Sequence, residues 1–148
     1  MTMRKFEIAK GFENEDVSLP TRATSKSAGY DLRSLETYRL KPGERHTFPT
    51  GLKACMEDDE VLYIFVRSSM AIKKGVRLSN SVGVIDADYY SNVDNDGHIM
   101  VSLFNFSDKE VEIVKGDRIA QGIFMKYLVV DDDIAAGTRT GGFGSTNK

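Results

Sequence analysis

The sequence predicts an all-β sandwich or barrel with one short helix. Three observations lead there: short apolar runs rich in β-branched and aromatic residues, turn signals at regular spacing between them, and no long amphipathic segment. The chain has 148 residues, 41% hydrophobic and 28% charged, which fits a single domain with a real core. Met3 to Ala9 and then Tyr30 to Leu35 read as strands. Pro42-Gly43 and Pro49-Thr50-Gly51 each read as chain reversals, the second leading into a strand from Gly51 to Met56. Val61 to Val66 is the longest apolar stretch and suits a strand buried on both faces. Ser68 to Lys74 is the helix, with a serine able to cap its first turn and Gly75 in the left-handed C′ position. Asn80 to Tyr89 forms a hairpin. Asp94-Asn95-Asp96-Gly97 then turns the chain into a strand from Ile99 to Phe106, and Ser107-Asp108-Lys109 turns it toward strands at Val111 to Val114 and Ile119 to Tyr127. No internal repeat with a period of about 20–50 residues occurs, which argues against a solenoid or propeller. The chain divides into a single all-β domain over residues 1–136 and a flexible, glycine-rich C-terminal tail over residues 137–148.

Charge and motif content narrow the function classes. Twenty Lys+Arg against 22 Asp+Glu give a net charge of −2, which is no footprint for a nucleic-acid polymer or an anionic membrane, so an anionic ligand must be held locally. The single cysteine, Cys55, has no disulfide partner, and the charged start has no apolar signal core, so a reducing cytoplasm is expected. No P-loop and no G-x-G-x-x-G follows a strand. His46, His98 and Cys55 lack metal-ligand spacing, and no zinc-deaminase signature is present, so both histidines are expected in exposed or structural roles.

Several polar constellations remain. Ala28-Gly29-Tyr30-Asp31-Leu32 sets a carboxylate in an apolar strand, and Asn80 to Tyr89 does so again with Asp86; buried carboxylates need partners. Val66-Arg67-Ser68-Ser69-Met70-Ala71 puts a guanidinium and hydroxyls at a helix start, a compact set of anion donors. Gly116-Asp117-Arg118-Ile119-Ala120-Gln121 sends Gln121 out along a strand. Arg139-Thr140-Gly141-Gly142-Phe143-Gly144-Ser145-Thr146 offers free amides, hydroxyls, a cation and a ring able to stack on a base. Together they suit a nucleoside triphosphate.

In this order, the five segments resemble the motifs of the trimeric dUTPase family. The resemblance implies an all-β, jelly-roll-like distorted β-barrel with one short helix. It also implies a homotrimer with active sites shared between subunits, and Mg²⁺-dependent hydrolysis of dUTP to dUMP and pyrophosphate, which limits uracil in DNA and supplies dUMP for thymidylate synthesis. By the same resemblance, Asp86 orients and deprotonates the attacking water, and Asp31 reaches the Mg²⁺ through water. Tyr89 packs on the deoxyribose, while Asn80 and the backbone from Gly83 to Asp86, Ile85 included, read uracil. Ser68, Ser69 and Gln121 contact phosphate. Arg67 serves the site or an intersubunit ion pair, and Asp31 has the plain alternative of a structural carboxylate paired with an arginine. Phe143 stacks on the base beside Gly144, and Arg139, Ser145 and Thr146 hold the outer phosphates. Asp117 and Arg118 read as turn and interface residues. The chain departs from the family pattern at Val66, Ser69, Ser91 and Asn147, in the spacing of Arg139 from Gly141, and in an insertion over Val93 to His98. Two other readings stand beside this one: a dCTP deaminase on the same fold, recognised by ammonia release, and a nucleotide-loaded trimer that binds a regulatory protein partner through the insertion.

Overall fold

The computed structural model describes residues 3–144. Among these, ten strands, one α-helix and one 3-10 turn form two four-stranded antiparallel sheets and a two-stranded ribbon. The first sheet contains β1 (Lys5–Ile8), β4 (Arg45–Cys55), β8 (Ile99–Asn105) and β6 (Val76–Leu78), in the order β1-β4-β8-β6. The second contains β2 (Tyr30–Arg33), β10 (Arg118–Lys126), β5 (Glu60–Val66) and β7 (Gly83–Asp86), in the order β2-β10-β5-β7. β3 (Tyr38–Leu40) pairs with β9 (Val111–Ile113). The all-β expectation with a single short helix therefore holds.

Strand alternation builds the core. β8 buries Ile99, Val101, Leu103 and Asn105 and half-exposes the residues between them, so one face points inward throughout. Phe48, Leu52, Leu62, Ile64, Ile113 and Ile119 meet these from the other strands. Asn105, fully buried, is satisfied on all sides. Its amide donates to the carbonyls of Leu40 (2.9 Å) and Lys109 (2.8 Å), and its oxygen accepts from the Ser107 N–H (2.9 Å) and Oγ (2.7 Å). As expected, β5 lies between two neighbours, and Glu60, Val61, Leu62 and Ile64 are buried in it.

Three local expectations are corrected. Pro49-Thr50-Gly51 does not reverse the chain; β4 runs straight through it with a register shift between Pro49 and Leu52, a bulge whose Gly51 stands at φ +74°. The same residues serve because a bulge, like a turn, needs a positive φ and tolerates a missing donor. His98 Nε2 accepts the N–H of Gly51 (3.0 Å) and Thr50 Oγ1 donates to the Ile99 carbonyl (2.5 Å), so the bulge leaves these groups paired. The helix α1 spans Ser68–Lys74 and ends on Gly75 at φ 66°, but its N-cap is Arg67 with no side-chain cap, so no serine caps it. Finally, β3, β6 and the first half of β4 lie outside the strands expected from sequence.

Candidate active site

Among the described residues β7 is an edge strand, paired with β5 through Val61–Asp86, Leu62–Ile85, Tyr63–Val84 and Ile64–Gly83, so its other backbone edge is open to a ligand. The turn before it carries Ser81 at φ 68°, and Gly83 fits only because it lacks a Cβ, which would lie 2.9 Å from Ile64 Cβ. After Asp86 the chain tightens into a 3-10 turn over Ala87–Tyr89 that buries the Tyr89 ring. The Tyr89 hydroxyl donates to the His98 carbonyl (2.6 Å) and accepts from Asn95 Nδ2 (2.9 Å). Burial pushes its phenol above the ordinary range, against the Asn95 hydrogen bond and the nearby Arg139 charge.

A cavity of about 350 Å³ opens on this hairpin. Asn80, Gly83, Ile85, Asp86 and Tyr89 line it from the body of the fold, and Arg139, Phe143 and Gly144 line it from the tail. The Arg139 guanidinium bridges two carboxylates, with Nη2 2.7 Å from Asp86 Oδ2 and Nε 2.7 Å from Asp88 Oδ1, and lies 5.7 Å from the centre of the Tyr89 ring. Burial acts against its charge, yet Asp88 and Asp86 outweigh that and hold the guanidinium above its ordinary range. Asp88, the second carboxylate of the D-x-D, carries none of the sequence-based roles; the repeated aspartate was its only signal. Ser145 and Thr146 lie outside the described residues.

The remaining expected residues gather elsewhere. Asp31 on β2 faces Gln121 on β10, and its carboxylate meets Arg67 (Nε to Oδ1, 3.3 Å) and Arg118 (Nη1 to Oδ2, 3.6 Å). The expected alternative of an arginine-paired carboxylate is thus present within the chain. Gln121 packs on Gly29, where a Cβ would come within 2.3 Å of Gln121 Oε1. Ser68 and Ser69 open α1 directly after Arg67. Asp117 forms its turn as expected, its Oδ2 accepting the Val114 N–H (2.8 Å).

Sheet order keeps the two clusters apart. Asp31 registers with Gln121 and Gln121 with Phe65, whereas Asp86 registers with Val61, four residues back along β5. Three strand spacings across and four residues along put Asp31 and Asp86 about 20 Å apart on a flat sheet grid. Among the described residues no group of three or more His, Cys, Asp or Glu could cage a metal ion. The Asp31 carboxylate is a hard oxygen donor, the type that Mg²⁺ takes directly or through water.

Comparison with known proteins bears on what the cavity takes. Residues 15–147 match the family model for dUTPase. The deoxyuridine 5'-triphosphate nucleotidohydrolase of Lactococcus lactis is 51% identical over 148 residues, covering 99% of each chain. The enzyme of that name from Actinobacillus succinogenes is 40% identical over 138 residues, covering 88% of this chain and 87% of its own. Among solved structures, the dUTPase of Streptococcus mutans superposes with a TM-score of 0.80 at 46% identity, over 86% of this chain and 99% of that one. A mutant dUTPase from phage phi11 of S. aureus, described with a structural Mg(II) ion, shares the fold at a TM-score of 0.74 and 19% identity, over 90% and 97% of the two chains.

Proposed function

The chain belongs to the dUTPase family, and from that premise we propose how it hydrolyses dUTP to dUMP and pyrophosphate: Asp86 is the general base, in a site closed by the chain's own C-terminal tail. The observation that carries this is Asp86 at the mouth of the cavity under β7, within hydrogen-bond reach of a cation from that tail. Uracil sits against the free backbone edge of Gly83 and Ile85, where alternating donors and acceptors imitate a pairing base, and Asn80 completes the reading. The Tyr89 ring packs on the sugar and leaves no room for a 2′-hydroxyl. Phe143 closes over the base.

Water then attacks the α-phosphorus in line. Its proton passes to an Asp86 carboxylate oxygen, the new P–O bond forms, and the bond to the bridging oxygen breaks, releasing pyrophosphate. Asp88 and Arg139 hold the Asp86 carboxylate in orientation, and Arg139 trades carboxylate for phosphate oxygens as the triphosphate's charge enters. Mg²⁺, where bound, supplies charge neutralisation on the phosphate oxygens; Asp31 would hold it through water, and Arg67, Ser68, Ser69 and Gln121 bind the phosphates. Asp31 and Asp86 of one molecule lie at opposite edges of one sheet, about 20 Å apart on the sheet grid, too far for both to serve one α-phosphorus. We therefore infer a homotrimer in which each site takes Asp86 from one subunit and the Asp31 cluster from another.

Replacing Asp86 with Asn tests the assignment. Loss of a positioned general base costs about 10²–10⁴-fold in turnover, so pyrophosphate release is expected to collapse while dUTP binding by calorimetry persists. Unchanged turnover would remove Asp86 from the mechanism.

A further inference from the structure

We propose that the loop over residues 91–97 is the seat of the C-terminal tail, with Asp94 and Asn95 as positioning residues that tie closure of the tail to the Tyr89 ring; the inference rests on the nucleotide-site reading above. The loop Ser91-Asn92-Val93-Asp94-Asn95-Asp96-Gly97 is polar and makes two left-handed excursions outside glycine, Ser91 at φ 56° and Asp96 at φ 61°. Its underside is anchored. Asp96 Oδ2 accepts Lys53 Nζ (2.9 Å) and the Lys10 N–H (2.8 Å), Lys53 also reaches Ser91 Oγ (3.1 Å), and the Ser91 N–H donates to the Asp96 carbonyl (3.0 Å). Inside, Asn92 Oδ1 accepts the N–H groups of Asp94 (3.0 Å) and Asn95 (3.2 Å), and its amide donates to Asn95 Oδ1 (2.8 Å). A loop so tied presents its outer groups in one arrangement.

Those outer groups meet the tail. Asp94 Oδ2 accepts the Gly142 N–H at 2.8 Å. Gly142 is buried against the loop, and a Cβ there would stand 3.1 Å from Asn92 Oδ1 and from Asn95 Cγ and Nδ2, so any larger residue must displace these side chains. Asn95 Nδ2 donates to the Tyr89 hydroxyl (2.9 Å), so the side chain that Gly142 packs on also fixes the ring that discriminates the sugar. The tail is gripped at two points, Arg139 at Asp86 and Gly142 at Asp94, with Phe143 beyond the second. A charged acceptor at position 94 gives the stronger hydrogen bond to a backbone N–H. Here the insertion has an internal partner, and tail closure and sugar selection share one hydrogen-bonded unit.

The test uses the full-length chain and follows tryptic cleavage after Arg139 by mass spectrometry, with and without a slowly hydrolysed imido analogue of dUTP, alongside steady-state kinetics on dUTP. In the parent protein the analogue should slow cleavage. Asp94→Ala should raise KM for dUTP and weaken that protection, each by about fivefold, the value of one hydrogen bond. Asp94→Asn keeps a carbonyl acceptor without the charge and should recover part of both. Gly142→Ala should reproduce the loss from the tail side, with the thermal midpoint unchanged in all three variants. If Asp94→Ala keeps the parent's protection and KM, or Asp94→Asn behaves like Ala, the inference is overturned while the site reading stands. A parent protein that does not hydrolyse dUTP, or gains no protection from the analogue, overturns the site reading and the inference together.

Discussion

Arg139 shows how one side chain concentrates the chemistry of the tail. Its guanidinium is 9% exposed, whereas the two carboxylates it bridges are 54% and 60% exposed, so the cation is the enclosed partner and the anions face the cavity and solvent. A planar fork can hold Asp86 and Asp88 at once, and a point charge on a flexible stem cannot. Arg139→Lys should therefore cost about tenfold in kcat/KM, or about 1.4 kcal/mol of transition-state stabilisation, without lowering the thermal midpoint, because the tail is marginal to the core. Parent-like kcat/KM in a folded Arg139→Lys variant would show that one hydrogen bond suffices. Gly83 carries a contrary expectation. Its absent Cβ would stand 2.9 Å from Ile64 Cβ, so Gly83→Ala must push β7 off β5. Overpacking of this kind costs about 1–3 kcal/mol, and both the urea midpoint and KM should move. A variant with parent stability would mean that the hairpin yields freely.

Among the elements, the bulge in β4 links stability to pH. His98 is buried, its Nε2 accepts the Gly51 N–H, and its ring lies 4.4 Å from that of Phe12. Burial holds its imidazole below the ordinary value of 6.5. Between that ordinary value and the lower folded one, the unfolded chain binds more protons than the native chain. The contribution is therefore complete above about pH 6.5 and is lost as pH falls through the folded value. The urea midpoint should decline from pH 7 toward pH 5, and His98→Gln should flatten the decline; a parent midpoint flat over that interval would remove His98 as its source. At this scale the sequence was unevenly legible. The helix and the longer strands announced themselves through apolar runs and Gly75. β3 and β6 are three residues each, and such strands exist by virtue of their partners rather than their own pattern. Pro49 and Gly51 misled because a bulge and a turn ask for the same residues. Asp86 and Asp31 stood out in the sequence as carboxylates set among apolar residues, and the structure places Asp86 on the cavity and Asp31 against Arg67 and Arg118, while the contacts of Asp88, Asp94 and Asn95 follow from where the tail lands.

For the molecule as a whole, strand order decides what one copy can do. Because β2 and β7 are opposite edges of one sheet, no local adjustment brings Asp31 to Asp86. That separation was invisible in the sequence, where motif order says nothing of sheet order. The exposed apolar stretch Tyr127 to Val130, just past β10, adds a surface that another copy can cover. Sharing of sites can be tested by complementation. Asp86→Asn and Asp31→Asn chains, each inactive alone, are unfolded together in equal amounts and refolded. In a closed ring of identical interfaces, about a quarter of the sites then pair an intact position 86 with an intact position 31 on a neighbour. Activity near a quarter of the parent's is expected, with a trimer by light scattering. If the mixture stays as inactive as its components while mixed trimers form, each site belongs to a single chain, and the two clusters must serve different purposes.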